Sequence, residues 1–415
     1  MPNTAHYSRM VTEEPKSACG TAPGLPAGES LTVAGLFAGV GGIEVGLREA
    51  GHVTELLCEV WEPARAVLTD RLVGIPLERD VRELRSLPAV DVVSAGFPCT
   101  DLSQAGRTAG ISGTNSGLVG EVFRLVRGSR PRWLLLENVR NMIPLDGGRA
   151  MRYLVDELEA LRYQWAYRLV DSRFTGVPQR RHRVLFLASR TEDPRDVLLI
   201  DDAGERPEES YRSDAFGFYW TEGLRGLGWA RDAVPPLKGG STLGIPSPPA
   251  VWVPRAEAGR RLVTPSVTDA EQLQGFPPEW TAAACNGRGR GPRWKLVGNA
   301  VTVGVARWVG DRLARPGRYD SSKDRELARA DRWPHAAWGR DGRRWAAHAS
   351  LWPRHDSYRH IGDLMDLHAA EPLSRRAAAG FWERMNRSQL RFVEDFRLDV
   401  KEHVEITDGQ TRLAV

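Results

Sequence analysis

The sequence has no apolar run approaching the length of a membrane span. Residues 1–30, rich in Pro, Gly, Ser, Thr and Glu, lack the basic-then-apolar layout of a signal peptide. They read as a flexible leader; no membrane partner is expected, and the expected compartment is the cytoplasm. Cysteine is scarce. The four cysteines, Cys19, Cys58, Cys99 and Cys285, show no CxxC spacing and no companion histidine cluster, which speaks against both a zinc site and a disulfide framework. A lone functional thiol stays open. Lysine is nearly absent as well: of 57 cationic residues only Lys16, Lys238, Lys295, Lys323 and Lys401 are lysine. The rest are arginine, the better residue for bidentate contact with phosphate or guanine, although codon usage explains most of such an excess. The net charge of +4 is modest.

What is present is enough for a large core. A chain of 415 residues, 41% hydrophobic, can form two or three domains. Leu31-Thr32-Val33-Ala34-Gly35-Leu36-Phe37 reads as a strand, followed by the glycine-rich turn Ala38-Gly39-Val40-Gly41-Gly42 and a helix. Such a turn lets backbone approach a nucleotide-like ligand closely. Glu59 follows about 20 residues later, after the apolar Leu56-Leu57-Cys58, where an acid at the end of a second strand can accept hydrogen bonds from ribose hydroxyls. Asp80-Val81 could supply a contact to the base of the same ligand.

The β-branched run Ala89-Val90-Asp91-Val92-Val93-Ser94-Ala95 leads into Gly96-Phe97-Pro98-Cys99, which puts Cys99 in a loop at a strand's carboxyl end, where open α/β sheets collect their ligands. On its own the cysteine reads rather as a buried structural thiol, and only the other stretches decide for function. Leu134 to Leu136 form another buried strand with Glu137 at its end, placed so that burial could raise the carboxyl pKa. Gln179-Arg180-Arg181-His182-Arg183 precede a further strand, with arginines suited to an anion or a base. Strands alternating with helices indicate an α/β fold with a doubly wound parallel sheet. From residue 189 to about 261 the periodicity fails, yet Phe216, Phe218, Tyr219, Trp220, Trp229 and Trp252 are too much aromatic surface for a disordered insert. A small irregular domain is expected there.

Taken together, these stretches resemble the cytosine-C5 DNA methyltransferases over roughly residues 31–188 and 262–313. Leu36-Phe37-Ala38-Gly39-Val40-Gly41-Gly42 is similar to the family's cofactor motif, Gly96-Phe97-Pro98-Cys99 to its nucleophile motif and Glu137-Asn138-Val139 to its ENV motif. Gln179, Arg181 and Arg183 fit QxRxR; Leu273-Gln274-Gly275-Phe276-Pro277 and Gly298-Asn299-Ala300-Val301 resemble the ninth and tenth motifs. Thr100, Leu102 and Gln272 depart from the usual glutamine, phenylalanine and arginine, which touches substrate detail and not chemistry.

The resemblance implies a Rossmann-like sheet that binds S-adenosylmethionine and releases S-adenosylhomocysteine, without a metal. It implies cofactor contacts from Phe37, Ala38, Gly39, Gly41, Gly42, Glu59, Val60, Asp80, Val81, Pro98, Leu118, Asn299, Ala300 and Val301. Cys99 becomes the nucleophile and Glu137 the acid at cytosine N3, with Arg181 and Arg183 near a flipped nucleotide and its phosphates. Residues 31–188 and 262–315 are expected to form the catalytic domain and 189–261 the target recognition region, with 316–415 an extension of unknown role. Double-stranded DNA is the expected partner, along with a cognate restriction or defence component; a monomer, nucleoid-associated when bound, is expected. RNA methylation and a non-catalytic DNA-binding regulator are the alternatives; the intact Cys99, Glu137 and glycine loop weigh against the latter. Arg225, Arg231 and Arg255 are candidates for base reading, and Arg288, Arg290 and Arg293 for phosphate contact.

Overall fold

The structure, a computed structural model, describes residues 28–98, 117–239, 248–285 and 291–413. The buried runs read from the sequence pair as β1 (Thr32–Leu36), β2 (Val53–Cys58), β3 (Leu77–Glu78), β4 (Val92–Ala95), β5 (Trp133–Val139), β6 (Gln164–Asp171) and β7 (His182–Ser189). Their order across the sheet is β3-β2-β1-β4-β5-β7-β6. Strands β1 to β5 are parallel, but β7 runs antiparallel to both β5 and β6. The connection from residue 172 to residue 181 is too short for a parallel crossover, so the expected parallel sheet is mixed at this edge. The strand order reverses between β1 and β4, which opens a crevice at their carboxyl ends.

Helices cover both faces. α1 (Gly42–Glu49) packs on one face, and the other carries α3 (Leu118–Ser129) and α4 (Leu145–Ala160); α2 (Glu62–Arg71) packs beside α1, its Leu68 and Leu72 against Leu57 of β2. After the second domain the chain returns through α5 (Val267–Leu273), α6 (Gly291–Asn299) and α7 (Val303–Ala314). α7 lies against α1 so closely that a Cβ on Gly46 would sit 2.4 Å from Val303 O, which only glycine permits. Among the described residues no helix is long and apolar enough to cross a membrane.

Beyond residue 189 the chain adds β8 (Phe216–Phe218), β9 (Ala230–Arg231), β10 (Ala250–Trp252), β11 (Leu262–Thr264), β12 (Arg325–Glu326), β13 (Ala336–Arg340), β14 (Arg343–Ala346) and β15 (Glu371–Pro372). Two sheets share them. β13 pairs with β6 and carries β14 and β12, so the first part of the extension lengthens the catalytic sheet to ten strands. Its tryptophans pack there, Trp338 stacking on Trp345 at 4.0 Å, and do not form a separate small core. The second sheet runs β15-β11-β10-β8-β9. Its aromatic core is closed by α8 (Arg375–Arg387) and α9 (Glu394–Leu413): Phe218 meets Phe396 at 5.0 Å and Phe381 at 5.2 Å. The boundary drawn at residues 261 and 262 therefore cuts through this sheet, since β11 pairs with β10 and β15 and not with the catalytic strands. Strands of two or three residues cannot bury a core alone, and the helices from the end of the chain supply it.

Candidate active site and nucleic-acid cleft

The crevice between β1 and β4 opens into a cavity of about 450 Å³. Phe37, Gly39 and Gly41, with φ of 54°, 58° and 83°, turn the chain from β1 into α1 in the left-handed region, a conformation that costs energy at a phenylalanine. A Cβ on Gly42 would lie 2.4 Å from Val301 O, so the glycine brings the Ala300-Val301 turn against the loop. Phe37, Ala38, Gly39, Gly42, Val60, Val81, Pro98, Leu118, Asn299, Ala300 and Val301 line the cavity; Gly41 faces Leu68 and Leu72 instead. Glu59 is on the wall too, its carboxylate oxygens accepting the backbone N–H groups of Gly39 and Trp61, each at 2.8 Å. Burial raises its pKa nonetheless. Asp80 also faces the cavity, but Arg82 grips its carboxylate and holds it below the usual range. That leaves contact with a ligand's base to its remaining lone pairs or to Val81.

At the far end of this cavity stands Glu137, at the end of β5, beside Gly96 and Pro98. Its side chain is 9% exposed, and burial raises its pKa against the pull of Arg183 and Arg181. Arg183 Nε is 2.8 Å from Glu137 Oε1, an ion pair that fixes the carboxylate at the end of the cavity. Asn138 fixes the neighbouring backbone by donating from Nδ2 to Phe97 O at 3.0 Å. Among the described residues the wall runs as far as Pro98 on this side. Cys99 itself lies outside the described residues, as do Thr100, Leu102, Arg288 and Arg290.

Three arginine assignments need correction. Arg181 is fully buried, and its guanidinium donates to Leu237 O, Gly298 O and Ala300 O at 3.1, 3.0 and 2.8 Å. It does not reach a nucleotide: it staples the approach to the second domain onto the turn that lines the cavity, because only a many-donor side chain can satisfy those buried carbonyls. Gln179 does the same beside it, accepting from Leu237 N and donating to Leu273 O, both at 2.9 Å. Arg293, expected on phosphate, is held in α6 by buried Glu271 at 2.9 Å and by Glu279 at 3.1 Å. Arg231, a candidate for base reading, spends its donors on Tyr211 O and Arg212 O.

Arg180 and Arg140 have no side-chain partner among the described residues, and both line an open cleft of about 790 Å³ next to Arg183. Its walls also carry Arg173 and His182, both on Asp171, and Leu351 and Trp352 from the extension. Burial and neighbouring Arg173 lower the Arg180 pKa against the opposing pull of Asp171. Sequence reading singled out the arginine run but not which member stays free, and it passed over Arg140 although that residue directly follows the ENV motif.

A family model for C-5 cytosine-specific DNA methylase matches residues 31–216. The type II methyltransferase M2.BsuMI of Bacillus subtilis (strain 168) is 47% identical over 369 residues, covering 86% of this chain and 94% of that protein. The chain belongs to the C-5 cytosine-specific DNA methylase family. A second type II methyltransferase, M.BanI of Aneurinibacillus aneurinilyticus, is 33% identical over 195 residues, 44% of each chain. Among solved structures, the S. pombe Dnmt2 methyltransferase superposes with a TM-score of 0.51 at 15% identity, over 68% of this chain and 98% of that one, and so shares its fold.

Membership of this methylase family implies S-adenosylmethionine as methyl donor and DNA as substrate. The cavity fits the donor. It offers a close glycine turn, an acid at the end of β2 for hydroxyls, and apolar walls, including Val60 at 56% exposed, that could cover a flat base. Trp61, Arg82 and Glu44 belong to the same wall without having been marked in the sequence. Among the described residues no group of three or more His, Cys, Asp or Glu side chains could hold a metal ion.

Proposed function

We propose that this DNA methyltransferase transfers a methyl group to C5 of a cytosine flipped out of double-stranded DNA, as the modifying half of a restriction-modification pair. The observation that carries the reading is Glu137: a buried carboxyl with raised pKa that lines the cavity beside the Gly96–Pro98 segment, which leads directly to Cys99. Cytosine C5 is a poor nucleophile. Addition of the Cys99 thiolate to C6 makes C5 electron-rich, and Glu137, protonated or sharing its proton with N3, stabilises the charge that builds on the ring. Arg183 holds Glu137 in place. S-adenosylmethionine, when bound, supplies an electrophilic methyl group. Loss of the C5 proton to a base and departure of Cys99 then restore the ring. Phe37 to Gly42, Glu59 and the Asn299 to Val301 turn are the residues that would hold the donor.

A stacked duplex buries both faces of the base, so the target must be extruded, and the free cations of the second cleft suit the phosphates flanking it. The type II names of the relatives support the restriction-modification context. Bisulfite sequencing of DNA from a non-methylating host that expresses the protein tests activity and site together. Protected cytosines in one sequence context are expected with the wild type and none with Cys99→Ser, and DNA carrying 5-fluorocytosine should trap the wild type covalently. Near-normal turnover by the serine variant would refute the assignment.

A further inference from the structure

Glu44 is a buried carboxyl that the reaction above does not use. It stands in the first turn of α1, 1% exposed, with Ser94 Oγ donating to its Oε1 at 2.9 Å and no partner for Oε2. Space for it comes from Gly35, where a Cβ would lie 2.3 Å from Oε1. A carboxyl so placed needs a proton or a cation. Neither β1 nor β4, which flank it, offers a charge; the charged group acting on it is Glu59, another anion, and burial raises its pKa to about 7.

The position of Glu44 says what that cation could be. Glu44 lines the same cavity as Glu59, and the wall is ordered along the sheet edge: Asp80 and Val81 after β3, Glu59 after β2, Glu44 between β1 and β4, then Gly96 and Glu137 at the ends of β4 and β5. With the base toward Asp80 and the ribose at Glu59, the sulfur-bearing chain of the donor extends toward β1 and β4. On the reading of this cavity as the donor site, we propose that Glu44 Oε2 accepts the α-ammonium group of the donor's methionine portion, making Glu44 a positioning residue for methyl transfer.

Calorimetry on the full chain with two nucleosides tests this. S-adenosylhomocysteine carries the amino-acid group; 5′-methylthioadenosine keeps the base, ribose and sulfur but lacks it. Glu44→Gln, nearly isosteric, should weaken S-adenosylhomocysteine about tenfold or more at pH 8, the effect of removing a charge-assisted contact, and leave 5′-methylthioadenosine unchanged, which also reports an intact cavity. Wild-type affinity for S-adenosylhomocysteine should fall as the pH drops from 8 to 6 and Glu44 takes up a proton; the variant should lose that dependence. Any contribution of Glu59 appears with both nucleosides and cancels in the comparison. Equal weakening of both nucleosides, or of neither, overturns the assignment. A wild type that binds neither nucleoside overturns the donor-site reading itself, and the inference with it.

Discussion

The two sheets of this methyltransferase are built by opposite routes. In the catalytic sheet β1, β2 and β4 to β7 bury their own apolar runs, and residues that line the cavity stand at or just after strand ends, at Phe37, Glu59, Asp80, Pro98 and Glu137. The second sheet has five strands of two or three residues, and its core is closed by Phe381 and Phe396, more than a hundred residues after Trp252. The residues proposed for the chemistry therefore sit in short local segments, whereas the surface proposed to read DNA depends on the far end of the chain.

The sharpest way to break this contrast is Phe396→Ala. Loss of a fully buried ring should cost about 3–5 kcal/mol in the second domain, and DNA binding should fail while S-adenosylmethionine binding survives. Chemical denaturation followed by both ligands checks it. If donor affinity fell in step with DNA affinity, the two regions would be one cooperative unit coupled through Arg181.

Inside the catalytic region Glu44 gives the next largest effect, on stability in the absence of donor. Its pKa is raised from 4.5 to about 7, so folding favours the neutral acid and stability falls as the pH rises through that window. The difference amounts to about 3 kcal/mol between pH 4 and pH 8. Urea titrations across this range should show the slope in the wild type and its loss in Glu44→Gln; parallel curves would mean that Glu44 has the same pKa in the folded and the unfolded chain.

Glu59→Ala should weaken donor binding by about 1–3 kcal/mol, the contribution of hydrogen bonds to a charged group. Unchanged affinity in a calorimeter would remove Glu59 from the site. In the second domain, Arg225 is exposed in the turn closed by Gly223 N donating to Gly226 O at 3.0 Å, on a hairpin whose Glu222 pairs with Lys238. Arg225→Ala should relax one position of the recognised sequence by about 1–3 kcal/mol. Methylation profiling on a random-sequence library would show an unaltered site if the region does not read bases.

The smallest effect separates the free arginines from the engaged one. Neutralising Arg140 or Arg180 should lower the salt slope of DNA binding by about 0.9 per lost phosphate contact. Arg293→Ala should leave that slope alone and reduce stability instead, by uncovering Glu271. A salt slope that moved with Arg293 would reverse the division.

The strands, the glycine turn and the acids at the strand ends were legible in the sequence because each is fixed by interactions within a few residues: apolar periodicity, φ freedom at glycine, and the placement of loops at carboxyl ends. The motif resemblance named the family from the same short segments. The roles of the arginines were not legible, since Arg180, Arg181 and Arg183 are equivalent in sequence and differ only in what surrounds them. Alternation along the chain sends Arg181 inward to three backbone carbonyls, Arg183 to Glu137, and Arg180 to an open cleft. Likewise nothing local announces that residues 336–346 extend the catalytic sheet or that α8 and α9 complete the other one. Those pairings join residues more than a hundred positions apart, and the decision rests with the exposed edge of β6 and the uncovered aromatic face of β8 and β10, surfaces that exist only once the chain has folded.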